Sequence, residues 1–292
     1  SLGPFLSRKG QYPPVAKDGY RTSEKWVKKG RLIMETVRVV KIGGNVVDHA
    51  EKLERFLGDF ARLGGKKVLV HGGGKIATSI SQGLGIETRM IGGRRVTDAE
   101  TLRIVTMVYA GLINKNIVAG LRGEGCHALG LCGVDGGLIR SRRRNPEPVD
   151  YGFVGDPVEF GLDTASLLLD GGLVPVVAPI TYDAEEGALL NTNADTVAQA
   201  VAVGLSARYA VELVYCFEKP GVLRDVADDS SVIPSIDPAS YERLKAEGVV
   251  ADGMLPKLEN AFRAIEAGVQ NVVICSAESL TCPGYGGTTL HQ

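Results

Sequence analysis

Five short stretches carry residues that could handle a phosphate or a carboxylate. Lys41 sits near the end of the run VRVVKI (residues 37–42), directly before Gly43 and Gly44. Backbone N–H groups bared by glycine can hold phosphate oxygens, and a neighbouring lysine adds positive charge. Taken singly, Lys41 reads as a strand-end lysine pointing to water. Gly72 and Gly73 follow VLVH as a second glycine turn, and with Gly74 the run exceeds what a βα turn requires. Arg94 and Arg95 precede the helix start TDAE. The planar fork of Arg95 can grip a carboxylate through two parallel hydrogen bonds; the alternative is a surface arginine. In NTNAD (residues 191–195) Asn193 suits N-capping. That leaves Asp195, just inside the first turn, unexplained. Lys257 follows DGMLP at the start of another helix, where by itself it reads as part of a solvated face.

Spacing excludes several other chemistries. The P-loop pattern G-x-x-x-x-G-K-[ST] is absent, because Ile76 follows Gly74-Lys75 and Leu69 stands where the first glycine belongs. A G-x-G-x-x-A match at Gly123 to Ala128 follows a helix and precedes a strand, the reverse of the dinucleotide-binding order. His71 to Gly74 spells a lipase-like oxyanion-hole string, but no G-x-S-x-G occurs to supply a nucleophile. The five cysteines (126, 132, 216, 275 and 282) are odd in number and irregular in spacing, so neither zinc nor a disulfide frame is expected and a reducing cytoplasm fits.

Charge and composition narrow the classes further. Lys plus Arg number 33 against 34 Asp plus Glu, a formal net charge of −1, which argues against nucleic acid as a partner. The one basic run, RSRRR (residues 140–144), neighbours Pro146 and Pro148 and reads as a solvated loop. No apolar stretch reaches the roughly 18 residues of a membrane span, and the N-terminal residues lack a signal-peptide core. With 44% apolar and 23% charged residues, the 292-residue chain suits a folded protein with a sizeable core.

The elements that must position these residues alternate. Residues 1–35 are polar, basic and poorly periodic, an arm of uncertain structure. Strands are predicted at 37–42, 68–70, 128–131, 173–179, 210–217 and 271–275, each short and apolar. Helices are predicted at 48–63, from the second glycine turn to about 83, from 97 to about 121, and at 164–170, 193–203 and 254–267. Thr97 and Glu100 form a capping-box pattern, Asp237-Pro238 an N-cap followed by an N1 proline, and residues 148–160 alternate like an exposed hairpin. Alternating apolar strands and helices predict an α/β fold, a parallel sheet covered on both faces, with ligands at the carboxyl ends of the strands where the glycine turns fall.

Together and in order, VVKIGGNVV, VLVHGGGK, GGRRVTDAETL, LLNTNADTVAQAVA and ADGMLPKLENA resemble the amino-acid kinase superfamily, and within it the N-acetylglutamate kinases. The resemblance covers roughly residues 37–275. It implies a three-layer αβα sandwich with a mainly parallel central sheet of about eight strands. It further implies an acyl-amino-acid-binding lobe at 36–178 and a nucleotide-binding lobe at 179–292 on one continuous sheet.

The resemblance also implies the chemistry. ATP, carrying Mg²⁺, would phosphorylate the side-chain carboxylate of N-acetyl-L-glutamate, a step of arginine biosynthesis. Lys41 and Lys257 would contact the transferring phosphoryl group from opposite sides, with Asp195 holding both. Gly43, Gly44 and Gly72 would offer N–H groups, Gly73 would line the acceptor side, Arg95 would bind the α-carboxylate, and Asn191 would lie near the acyl amide. Two rivals stand beside this: a kinase for another N-acyl glutamate such as N-succinylglutamate, and a non-catalytic metabolite sensor. The family's Ser/Thr-Asp-Val-x-Gly-Val string is replaced by Cys216-Phe217-Glu218-Lys219-Pro220-Gly221-Val222, so no adenine or ribose contact carries over. Residues 1–35 do not resemble the long N-terminal helix of arginine-inhibited members, and a cytoplasmic homodimer is the expected state.

Overall fold

The computed structural model describes residues 27–28, 31–32, 34–250 and 254–292. Most of the N-terminal arm therefore lies outside the described residues, as do residues 251–253, which open ADGMLPK. Val27–Lys28 and Arg31–Leu32 pair as a short antiparallel ladder. From there the chain runs through β1 (Thr36–Ile42), α1 (Ala50–Arg62), β2 (Lys66–His71), α2 (Gly74–Gly83) and the long helix α3 (Ala99–Gly123). It continues through β3 (Ala128–Leu131), β4 (Ile139–Arg143), β5 (Gly155–Phe160), α4 (Leu162–Asp170), β6 (Val174–Val177), β7 (Ile180–Asp183), β8 (Ala188–Asn191) and α5 (Ala194–Ser206). It ends with β9 (Ala210–Phe217), β10 (Ser235–Ile236), α6 (Pro238–Ala246), α7 (Leu255–Glu266), β11 (Asn271–Ser276) and β12 (Thr288–Leu290).

Alternation along the strands decides the architecture. In β1, Val37 and Val39 enter one core while Val40 and Ile42 enter the other. In β9, Val211, Leu213 and Tyr215 share the first core, and Val214 and Cys216 the second. A sheet apolar on both faces needs helices on both. α5 and α7 cover the first face through Val197, Val201, Leu258 and Ile265, while α1 and α3 cover the second through Phe56, Phe60, Ile104 and Ile117. The result is a three-layer αβα sandwich around an eight-stranded sheet in the order β10–β12–β11–β9–β1–β2–β6–β3. Every pairing is parallel except that of β12 with β11. Because β1 and β2 are neighbours at the centre, their glycine turns open side by side. The alternation that sends Val37 and Val39 towards α5 sends Lys41 there too.

A second, four-stranded sheet, β8–β7–β4–β5, stands beside the first, and two sequence expectations are corrected there. RSRRR is not a loop: residues up to Arg143 form β4, paired antiparallel with β5, with Ser141 buried. The hairpin expected over 148–160 is instead β4 with β5, because only Gly155–Phe160 is a strand. The polar stretch before Asn191 is a hairpin of β7 and β8.

Helix α3 brings two more corrections. Its N-cap is Asp98, whose Oδ1 accepts from the Thr101 N–H at 2.7 Å. Thr97 is turned inward instead, fully buried, donating to the Arg95 carbonyl at 3.1 Å. An 18-residue window of α3 has a mean hydropathy of 1.4, long and apolar enough by composition to cross a membrane, contrary to the sequence reading. Here its buried face, with Ile104, Val108, Ile113 and Leu121, packs into the second core. Mid-helix, Met107–Ile113 adopt π geometry.

Candidate active site

Lys41 is a residue of β1, and its environment follows from register. It lies opposite Tyr215 of β9 on one side and Val70 of β2 on the other. Its side chain is buried, and Nζ reaches 2.6 Å from Asp195 Oδ1. Asp195 occupies the first turn of α5, a turn fixed by Asn193, whose Oδ1 accepts from the Asp195 and Thr196 N–H groups. Asp195 Oδ1 is buried and has no hydrogen-bond partner, so its contact with Lys41 is an ion pair. Lys257, in the first turn of α7, takes a different anchor. Its Nζ stands 4.0 Å from the centroid of the Phe217 ring, and Lys41 Nζ stands 5.7 Å from the same ring. Among the described residues Asp195 pairs with Lys41 alone, so the expected grip of Asp195 on both lysines is replaced by one ion pair and one aromatic face.

The two glycine turns touch. A Cβ added at Gly72 would lie 3.6 Å from the Ile42 carbonyl oxygen and 3.8 Å from Gly43 Cα, and one added at Gly43 would lie 3.6 Å from Lys41 Nζ. Gly43 and Gly73 are the N-caps of the helices that begin at Gly44 and Gly74, and neither has a side chain to satisfy the first-turn N–H groups. Those donors are left for a ligand. The Gly72 N–H is not one of them: it donates to the Ile42 carbonyl at 3.0 Å, completing the ladder between β1 and β2. Gly73 has φ 143°, and a Cβ there would meet Ile113 Cδ1 at 2.2 Å.

Arg95 is buried and has no acidic partner among the described residues. Its Nη2 donates to the Gly74 carbonyl at 2.9 Å and to Thr78 Oγ1 at 2.8 Å, and its Nη1 to Thr88 Oγ1 at 3.2 Å. These neutral acceptors hold the fork in place and leave its charge uncompensated. Asn191 ends β8, donating from Nδ2 to Thr97 Oγ1 at 2.9 Å. The buried Thr97 thus ties Asn191 to the strand that carries Arg95.

These residues line a cavity of about 230 Å³ that includes Lys41, Gly43, Gly44, Gly72, Gly73, Arg95 and Asn191. Arg94 and Arg144 complete its basic lining, and among the described residues no Asp or Glu borders it. Arg144 was hidden in the run read as a loop; Asp156 holds its guanidinium through Nε at 3.0 Å and also through Nη2. A second cavity is lined by Gly43, Gly44, Phe217, Glu218, Lys219, Gly221, Met254 and Lys257. The two cavities meet at Gly43 and Gly44, one carrying Lys41 and the other Lys257. Tyr109, set into the first cavity by the π segment, carried no sequence signal.

His71, beneath the second turn, is fully buried, and burial pushes its pKa down to about 4. Its Nδ1 lies 2.9 Å from the Gly72 carbonyl and its Nε2 3.2 Å from Asn114 Nδ2. The amide donates to Nε2, so Nδ1 carries the hydrogen and donates to Gly72. Both ring nitrogens are occupied.

A parallel sheet covered on both faces, with a basic, glycine-walled cleft at its strand ends, defines a class of α/β phosphate- and carboxylate-binding proteins. The sequence pattern described as "Amino acid kinase family" matches residues 36–276. The chain belongs to the amino acid kinase family. It is 56% identical over 248 residues, 85% of this chain and 94% of the relative, to the acetylglutamate kinase of Cytophaga hutchinsonii. The acetylglutamate kinase of Methanopyrus kandleri is 44% identical over 248 residues, 84% of this chain and 96% of that one. Among solved structures, smu.665 from Streptococcus mutans superposes with a TM-score of 0.70 at 27% identity, covering 87% of this chain and 98% of its own. The carbamate kinase of Giardia shares the fold, with a TM-score of 0.65 at 14% identity over 88% of this chain and 99% of that one.

Proposed function

We propose that the chain is an acetylglutamate kinase, transferring the γ-phosphoryl group of ATP to the side-chain carboxylate of N-acetyl-L-glutamate in arginine biosynthesis. The observation that carries this reading is the meeting of two cavities at Gly43 and Gly44, with a lysine in each. The first cavity takes the acyl amino acid. Arg95 binds the α-carboxylate and Asn191 lies by the acyl amide. The second cavity takes the nucleotide, whose phosphates carry Mg²⁺. Residues 36–178 then supply most of the acceptor side and 179–292 most of the nucleotide side. The reading includes a cytoplasmic homodimer.

The chemistry asks for charge neutralisation rather than proton transfer. A side-chain carboxylate is ionised at neutral pH, so no general base is needed. His71, the histidine at the site, has both nitrogens engaged and is not placed to act as one. A carboxylate oxygen attacks the γ-phosphorus, the bond to the β–γ bridging oxygen breaks, and ADP leaves. Lys41 on one side and Lys257 on the other offset the charge on the phosphoryl oxygens, with the free N–H groups of the glycine turns. One ammonium at ~4 Å is worth on the order of 4 kcal/mol at an effective dielectric near 20. Asp195 holds the Lys41 ammonium in place.

The experiment is an ADP-release assay with N-acetyl-L-glutamate, N-succinyl-L-glutamate and free glutamate. Turnover with the acetyl compound supports the reading; ATP binding without turnover on any of them overturns it. A different acyl group is the second reading, favoured by the basic lining of the first cavity. Of the cations in that lining, Arg94 and Arg95 have no acidic partner among the described residues, while Lys41 and Arg144 pair with Asp195 and Asp156. Preference for the succinyl compound, lost in Arg144→Met, would assign Arg144 to an acidic acyl chain.

A further inference from the structure

Phe217 has no polar atom, yet among the described residues it is the one side chain within cation–π reach of both candidate catalytic lysines. It stands in the stretch that departs from the family's usual string, so the resemblance says nothing of its role. Its position follows from the sheet. It ends β9, and the alternation that turns Leu213 and Tyr215 towards α5 and α7 turns Phe217 the same way. The Tyr215 and Phe217 rings stack with centroids 5.9 Å apart and planes 17° apart. Tyr215 in turn donates from its hydroxyl to the Asp195 carbonyl oxygen at 3.3 Å. The two rings thus form a floor beneath Lys41, Asp195 and Lys257.

Electrostatics gives the floor a task. Among the described residues Asp195 is the carboxylate that pairs with either ammonium group, and it contacts Lys41; Glu218 lines the cavity of Lys257 without pairing with it. The ammonium of Lys257 must be held where the nucleotide is to bind, without an ion-pairing acid that would cancel its charge. An aromatic face meets that requirement. Its quadrupole attracts a cation within about 6 Å of the centroid, and it carries no net charge. Lys257 Nζ at 4.0 Å is well inside that reach, and Lys41 Nζ at 5.7 Å is at its edge.

We propose that Phe217 is a positioning residue that holds the ammonium groups of Lys257 and Lys41 on its ring face in register for phosphoryl transfer. The proposal rests on the reading of the two lysines as catalytic. Its test is to install mono-, di-, tri- and pentafluorophenylalanine at position 217 of the full chain, since fluorine drains the ring face while nearly preserving its shape. The expected result is a stepwise fall in kcat, with log kcat linear in fluorine number and a total loss of about 2- to 30-fold. KM for the acyl-glutamate should stay unchanged. Phe217→Leu should lose kcat similarly, and Phe217→Trp should retain it. A flat fluorine series overturns the proposal. Lys41→Ala, measured alongside, separates the two ideas. If Lys41→Ala is inactive and the series is flat, only the role of Phe217 falls; if Lys41→Ala turns over normally, the assignment of the lysines falls first.

Discussion

Lys41 Nζ lies 2.6 Å from Asp195 Oδ1, which fastens the end of the central strand to the first turn of α5. The contact joins the acceptor cavity to the helix that flanks it, and it exists because odd-numbered residues of β1 face α5. Lys41→Ala should therefore lower kcat about a thousandfold, the rate equivalent of about 4 kcal/mol acting only in the transition state. Far-UV circular dichroism should remain parental. Turnover near the parental rate would remove Lys41 from the chemistry.

Arg95 should govern acceptor binding. Its fork is fixed by the Gly74 carbonyl, Thr78 and Thr88, and lysine cannot reproduce that planar geometry. Arg95→Lys should raise KM for the acyl-glutamate about 10- to 100-fold, the loss of one charged hydrogen bond. Initial rates with each substrate varied in turn check this; an effect confined to KM for ATP would contradict it.

Gly73 and Ile113 occupy one space. With φ 143° and a clash of 2.2 Å awaiting any Cβ, Gly73→Ala should destabilise the protein by about 2–5 kcal/mol, combining backbone strain with overpacking. The double variant Gly73→Ala/Ile113→Ala should be more stable than the sum of the two single changes predicts, because the second removes the obstacle to the first. Urea midpoints of the four proteins form the cycle.

His71 should set part of the acid limit of stability. Its folded pKa is about 4, against about 6.5 in the unfolded chain. Between those values the unfolded state binds the extra proton, so stability rises with pH there. The contribution is complete above pH 6.5 and lost as pH falls towards 4, amounting to about 3 kcal/mol. Urea titrations from pH 7 to pH 4.5 should show a shallower loss for His71→Asn than for the parent. Equal slopes would mean that His71 titrates normally.

Local pattern located most of this site because its residues lie at strand ends and helix starts, where glycines and caps leave a mark. Lys41, Asn193 and Asp195 are of that kind. The failures share a different cause, partners distant in sequence. Thr97 carries the signature of a cap, but a buried amide from Asn191 claims its hydroxyl and Asp98 caps the helix instead. Arg144 sits in a run whose polarity suggests water, and only pairing with β5 and Asp156 turns it towards the cavity. The Gly72 N–H is free by composition and taken by register. Phe217 reads as an ordinary strand terminus until two lysines converge on it.

The π stretch Met107–Ile113 packs more residues into each turn than the α segments around it. Tyr109, Ile113 and Asn114 consequently reach three separate targets: the cavity wall, Gly73 and His71. Regularising that stretch to an uninterrupted α form with every residue retained would rotate everything beyond it by about 100°. Asn114 would then swing off His71, and the peptide held by that imidazole would lose its brace. The π geometry of this helix is thus as constrained as its chemistry.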